Sequence, residues 1–259
     1  MLPTPSTSHV NTDRIYDPSE DSFLFLDTLS SKTEVDFLTE RFAHTGDNRS
    51  RVPLILEVGT GSGVILAFLT ANAKALLGTA EILTLGTDIN HFACEDSQPT
   101  ISKACKDQAT GSSGRFLDVL HADLAAPLRT DMVDVLICNP PYVPSGKVPV
   151  PTAPLGSKPN APGYMTDAHL LSMSYEGGKQ GMEVADRLLK QLPHVLNKER
   201  GVAYILLCQQ NQPDKVVESL RGLESDWTVD VVGMSGRHAG WEKLQILRIS
   251  HGKLKNVTD

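Results

Sequence analysis

Residues 53–63 read PLILEVGTGSG. An apolar run interrupted only by Glu57 passes straight into a turn with glycine at alternate positions. A helix-like stretch then runs from Val64 to about Leu77. A short run with no polar face reads as a strand buried on both sides, the kind found in a parallel sheet covered by helices. Gly59, Gly61 and Gly63 permit positive φ and let a ligand approach the backbone at the carboxyl end of that strand. The spacing is G-x-G-x-G, not the G-x-G-x-x-G of dinucleotide sites, and Glu57 stands two residues ahead of the first glycine. A carboxylate there repels a pyrophosphate but suits an ammonium and a sulfonium. The stretch therefore favours S-adenosylmethionine over a nicotinamide dinucleotide. The plainer alternative is a glycine turn with no ligand.

Outward from this unit the rhythm repeats. Residues 82–88, 115–121, 133–138 and 202–208 are apolar runs of strand length, with helical patterns over 91–108, 181–197 and 213–221. Residues 227–232 and 244–249 are two further strands with no room for a helix between them, so they pair as an antiparallel hairpin. Ahead of the first strand, Asp17-Pro-Ser-Glu-Asp-Ser22 has proline and acids where a helix begins, and a second helix is expected over 33–42. The fold class expected is α/β: a seven-stranded, Rossmann-like, mostly parallel sheet with a C-terminal antiparallel hairpin and helices on both faces. Residues 1–13 read as a flexible tail, 14–250 as one domain and 251–259 as a second tail. Residues 144–164 hold six prolines and little periodicity, and read as a loop insertion.

Composition narrows the partners. The net charge of -7 weighs against a protein that grips nucleic-acid phosphates. Cys94, Cys105, Cys138 and Cys208 lie far apart, and the histidines are scattered, so no metal site is expected in this chain. No apolar stretch has the length of a membrane span, and the N-terminus lacks a signal peptide's apolar region. A cytoplasmic protein, one that also enters the nucleus or not, is the expectation.

Three further sites lie at strand ends. Asp88, with Ile89 beside it, closes the second strand, where an acid binds ribose hydroxyls; an Asp there is also a common helix cap. Asp123 follows the third strand and is placed to accept from an adenine amine, with Leu124 against the ring. Asn139-Pro140-Pro141-Tyr142 follows the fourth strand, at the edge of the sheet where ligands bind. A planar nitrogen delocalises its lone pair and is a poor nucleophile. The Asn139 side-chain oxygen can accept one of its N–H groups, the Pro140 carbonyl the other, and Tyr142 offers a ring to stack on. Both acceptors favour positive charge developing on nitrogen. A stiff Pro-Pro turn is the structural alternative.

Together GTGSG (59–63), TDIN (87–90) and NPPY (139–142) resemble the class I S-adenosylmethionine-dependent methyltransferases that act on planar nitrogens. The opening YDPSEDSFLFLDTL (16–29), with ADL (122–124) and YEGGKQGMEVADRLL (175–189), is similar to the eukaryotic and archaeal HemK-like release-factor glutamine methyltransferases. The resemblance spans most of residues 14–250. It implies N5-methylation of the glutamine in a Gly-Gly-Gln loop of a class I translation termination factor, itself in complex with a GTPase, with S-adenosylhomocysteine as product. Glu57 and Gly59 would then hold the methionine part of the cofactor, Asp88 the ribose, and Asp123 with Leu124 the adenine. Tyr16 and Ser22 would close over it. The resemblance also implies a heterodimer with a small zinc-binding activator subunit along the sheet edge. The third strand is the candidate edge, through Arg115, Phe116, Leu117, Val119 and His121. Adenine N6 of a nucleic acid, or a protein lysine as a side activity, are the rival methyl acceptors.

Overall fold

The computed structural model describes residues 2–43, 51–157, 164–223, 227–236 and 243–251. The strands are β1 (Leu54–Val58), β2 (Leu83–Asp88), β3 (Arg115–His121), β4 (Val135–Cys138), β5 (Val202–Cys208), β6 (Trp227–Met234) and β7 (Leu244–His251). They form one sheet in the order β3-β2-β1-β4-β5-β7-β6. The first five run parallel, and β7 enters antiparallel between β5 and β6. This is the expected architecture, with β3 at one edge.

Alternation along the strands feeds two cores. Leu54, Leu56 and Val58 of β1 face one side, where α7 (Glu183–Val195) and α8 (Pro213–Leu223) pack. Ile55 faces the other, against α1 (Glu20–Leu29), α2 (Lys32–Phe42), α3 (Val64–Ala71) and α4 (Ala73–Leu77). The expected single helix after the glycine turn is thus two, parted at Asn72, whose side-chain amide donates to the Phe68 carbonyl. On α1, Phe25 and Leu29 are fully buried, each worth about 1.5–3 kcal/mol of transfer free energy. One helical turn before Phe25, on the same face, stands Asp21.

Two buried ionic groups tie the layers. Asp134, closed to solvent, accepts from the Leu54 N–H at 2.8 Å and pairs with Arg51 and Arg200, fixing the entry of β4 beside β1. Glu34 of α2 accepts from the Tyr204 hydroxyl and from Arg248, joining that helix to β5 and β7.

Several expectations change. Residues 2–13, expected to be a loose tail, lie against α5 (His91–Lys106): Pro5 is buried and the His9 ring meets the Asp96 carbonyl at 2.9 Å. Just beyond, the Arg14 guanidinium stacks 3.6 Å over Phe92. Residues 164–180 carried no element in the sequence reading, yet α6 (Asp167–Tyr175) forms there, with the Thr166 hydroxyl accepting from the His169 N–H. The proline-rich stretch is described over 144–157; its residues 158–163 lie outside the described residues, as do 252–259 of the C-terminal tail.

Candidate active site

The order of strands dictates where the cleft opens. The chain leaves the edge strand β3 and returns to β4 beside β1, so connections depart in opposite directions on either side of that pair. Val58 is in register with Cys138, which sets Gly59 opposite Asn139 across the mouth of the gap. A cavity of roughly 550 Å³ lies there, bounded by the ends of β1, β2 and β4, the start of α1, and the proline-rich segment.

On the β1 side, Gly59, Gly61 and Gly63 all have positive φ (77°, 51° and 77°). Gly59 and Gly61 line the cavity. Gly63 does not: it sits under α5, where a Cβ would lie 2.6 Å from that of Ser97. Its positive φ and that close approach give Gly63 a packing role. Glu57 faces the cavity and its Oε2 accepts from the Leu66 N–H at 2.9 Å. Burial pushes its carboxyl well above the usual carboxylate range, only partly offset by that N–H. Asp88 accepts from the Gly61 N–H at 2.9 Å and the Asn90 N–H at 2.8 Å; burial raises it also, against the pull of those donors. One acid therefore ties the glycine turn to Asn90, the residue that caps α5 by accepting from the Phe92 N–H.

Ile89, Asp123, Leu124, Tyr16 and Ser22 all border the cavity. Asp123, expected to be open to an adenine amine, is ion-paired with Arg187 of α7, a cavity residue that sequence reading missed. Leu124 holds φ at 52°, an unusual backbone state for a branched residue.

On the β4 side, Asn139, Pro140, Pro141 and Tyr142 border the same cavity. The Asn139 amide nitrogen donates to Asp21 Oδ2 at 3.0 Å, and the Tyr142 hydroxyl reaches that oxygen at 3.4 Å. Asn139 Oδ1 is buried with no hydrogen-bond partner. The motif's backbone is clamped from behind. Asn211, buried after β5, donates to the carbonyls of Tyr142 (3.0 Å) and Gln180 (2.8 Å). The Gly177-Gly178-x-x-Gly181 turn packs so closely that a Cβ on Gly181 would overlap the Tyr142 carbonyl. That turn supports the motif and does not line the cavity.

The chain is nearly coextensive with known enzymes. It is 28% identical over 255 residues to human methyltransferase HEMK2, covering 95% of this chain and 96% of that one. It is 29% identical over 254 residues to the Schizosaccharomyces pombe eRF1 methyltransferase catalytic subunit mtq2, covering 96% of each. The chain is a methyltransferase homologous to HEMK2 and Mtq2. No family model matches it. Among solved structures, the E. cuniculi Mtq2-Trm112 complex gives a TM-score of 0.54 at 22% identity, with 93% of this chain and 99% of that chain aligned, and supports the fold. Against this HEMK2 and Mtq2 relationship, the edge strand β3 is instructive. Leu117 is 47% exposed and Arg115 is exposed, whereas Val119 is buried against α3 and α5. His121 turns toward the cleft, bonded to the Ile89 carbonyl and the Gly156 N–H. Of the residues expected at a partner surface, Val119 and His121 thus make contacts within this chain.

Proposed function

We propose that this methyltransferase transfers a methyl group from S-adenosylmethionine to the side-chain nitrogen of a glutamine in the Gly-Gly-Gln loop of a class I translation termination factor. The observation that carries the reading is Asn139, a residue bordering the cavity beside the glycine turn, whose buried Oδ1 has no hydrogen-bond partner. A buried acceptor left unpaired costs about 1–3 kcal/mol, a cost offset when an N–H from a substrate amide arrives. The relatives support the choice of acceptor, since the mtq2 relative is named as acting on eRF1.

The residues present fit the cofactor. Glu57 would face its ammonium and Asp88 its ribose, with Ile89 and Leu124 as apolar walls for the base. Asp123 would share its carboxylate between the adenine amine and Arg187. S-adenosylmethionine supplies a methyl on a sulfonium, a leaving group that needs no acid. What the chain itself must do is position a weak nucleophile. Asn139 Oδ1 and the Pro140 carbonyl accept the two amide N–H groups, draw electron density onto nitrogen, and stabilise its charge as the new bond forms. Tyr142 packs beside the planar group. The extra proton leaves to water afterwards.

The catalytic chain would act as half of a heterodimer with a small zinc-binding activator, docked along β3 where Arg115 and Leu117 are exposed and Phe116 is half-buried, and would work in the cytoplasm. The E. cuniculi relative, solved with Trm112, makes such an assembly a reasonable model. The test is direct. The chain with its activator, labelled cofactor, and either release factor or duplex DNA are incubated together. Label on the Gly-Gly-Gln glutamine supports the proposal. Label on DNA but not on that glutamine refutes it. Leu117→Asp should weaken co-purification of the activator, and an unchanged complex would reject β3 as the contact.

A further inference from the structure

Asp21 lies in the first turn of α1, where an acid complements the helix dipole and raises no question in the sequence. In the fold it is 2% exposed and borders the cavity. Its Oδ1 accepts from the Ser22 N–H at 2.6 Å and the Ser22 hydroxyl at 3.3 Å. Its Oδ2 accepts from Asn139 Nδ2 at 3.0 Å and from the Tyr142 hydroxyl at 3.4 Å. One carboxylate thus touches both functional side chains of the Asn-Pro-Pro-Tyr motif.

An asparagine amide has two faces of nearly equal shape and opposite chemistry. Rotated by half a turn, Asn139 would point its NH2 into the cavity and repel the N–H groups it has to accept. A carboxylate can only accept. It therefore holds the NH2 on its own side and turns the oxygen away from itself; Nδ2 is the atom bonded to Asp21, and Oδ1 is buried without a partner. We infer that Asp21 is the positioning residue for methyl transfer: it fixes the Asn139 amide with its oxygen toward the substrate nitrogen. This rests on the reading of that nitrogen as an amide whose N–H groups are accepted by Asn139.

The inference makes an unusual ranking. In Asp21→Asn the Ser22 N–H keeps the new amide's oxygen on its own side, so the new NH2 faces Asn139 and recruits its oxygen. The isosteric change therefore turns Asn139 the wrong way, whereas Asp21→Ala only frees it. With the full chain, its activator and release factor, Asp21→Asn should lower kcat at least about tenfold and Asp21→Ala by less, with cofactor Kd within about threefold in both. On an Asn139→Ala background either change should add no more than about threefold, because the residue acts through Asn139. The opposite ranking, or losses that multiply in full on that background, would overturn the inference. So would losses confined to cofactor affinity. A second readout does not depend on the substrate. In 15N-labelled chain the Asn139 side-chain NH2 should exchange with water faster in Asp21→Asn than in wild type. If wild type fails to methylate the glutamine, the functional reading falls, and this signal alone decides the role of Asp21: unchanged exchange refutes it.

Discussion

The two walls of the cleft solve opposite problems. On the β1 wall the carboxylates of Glu57 and Asp88 are answered by main-chain N–H groups of Leu66, Gly61 and Asn90. On the β4 wall the polar contacts run between side chains, Asp21 to Asn139 and Tyr142, and one acceptor is left without a partner. The first wall is set by the backbone, although the Thr60 and Thr87 hydroxyls are also buried there without hydrogen-bond partners. The second is held from outside and finished only by a substrate. Binding and chemistry should therefore separate by mutation.

The widest separation is expected at Asn139. Asn139→Ala should lower kcat by at least about a hundredfold, the scale of losing one preorganised transition-state contact, with cofactor Kd within about threefold by calorimetry. A wild-type rate would remove the β4 wall from the mechanism. Next comes the rear support. Gly181→Ala places a Cβ on the Tyr142 carbonyl at φ +71° and should cost about 2–3 kcal/mol of stability along with about tenfold in kcat. A melting temperature and rate equal to wild type would mean that the turn does not brace the motif.

On the other wall, Glu57→Gln should weaken the cofactor about tenfold while leaving kcat at saturation nearly unchanged. It should also carry a pH signature. Burial raises the Glu57 carboxyl, and Asp88 in the same way, so the folded state holds protons that the unfolded chain releases. The stability contributed by that proton is present at low pH and falls as pH climbs above the ordinary carboxyl value of 4.5 toward the raised folded value. The variant lacks that loss at position 57. Its melting temperature without cofactor should gain on wild type as pH rises above the ordinary carboxyl value, as the linkage demands. A difference independent of pH would show that Glu57 is not held protonated by burial. The smallest effect is reserved for Tyr142→Phe, which removes a long 3.4 Å hydrogen bond but keeps the ring, and should cost only about two- to threefold in kcat. A loss as large as that of Asn139→Ala would move the chemistry onto the hydroxyl.

The β1 wall was readable in the sequence because backbone geometry writes itself into residue type. Positive φ demands glycine, and an acid at a strand end marks a cap or a ribose site, so 57–63 and Asp88 announced themselves. The Asn-Pro-Pro-Tyr motif was readable for the same reason, since two prolines at the end of a buried strand lock the backbone that aims its acceptors. Its supports were not. Asp21 was already accounted for by the helix dipole, and neither Arg187 nor Asn211 stood in a pattern that singled it out. Each is brought by tertiary packing to a partner 64 or more residues away in the chain, a distance over which local periodicity says nothing. The α6 helix escaped because its apolar residues form no clean stripe, although Thr166 ahead of Asp167 offered a capping signal.

The proline-rich segment is pinned where it leaves and where it returns. Val143 exchanges backbone hydrogen bonds with Tyr175 and Gly177; the Ser145 N–H donates to the Gly178 carbonyl, and the Ser145 hydroxyl accepts from the Gly178 N–H. Between those two ends, α6 packs Leu170 and Met173 against Ile89 and Phe92. Adding residues to such a loop costs only about 0.6 kcal/mol of closure entropy per doubling of its length. The rim around the acceptor can therefore be rewritten by insertion, deletion or grafting, so that new protein substrates are admitted while the reaction beneath stays the same.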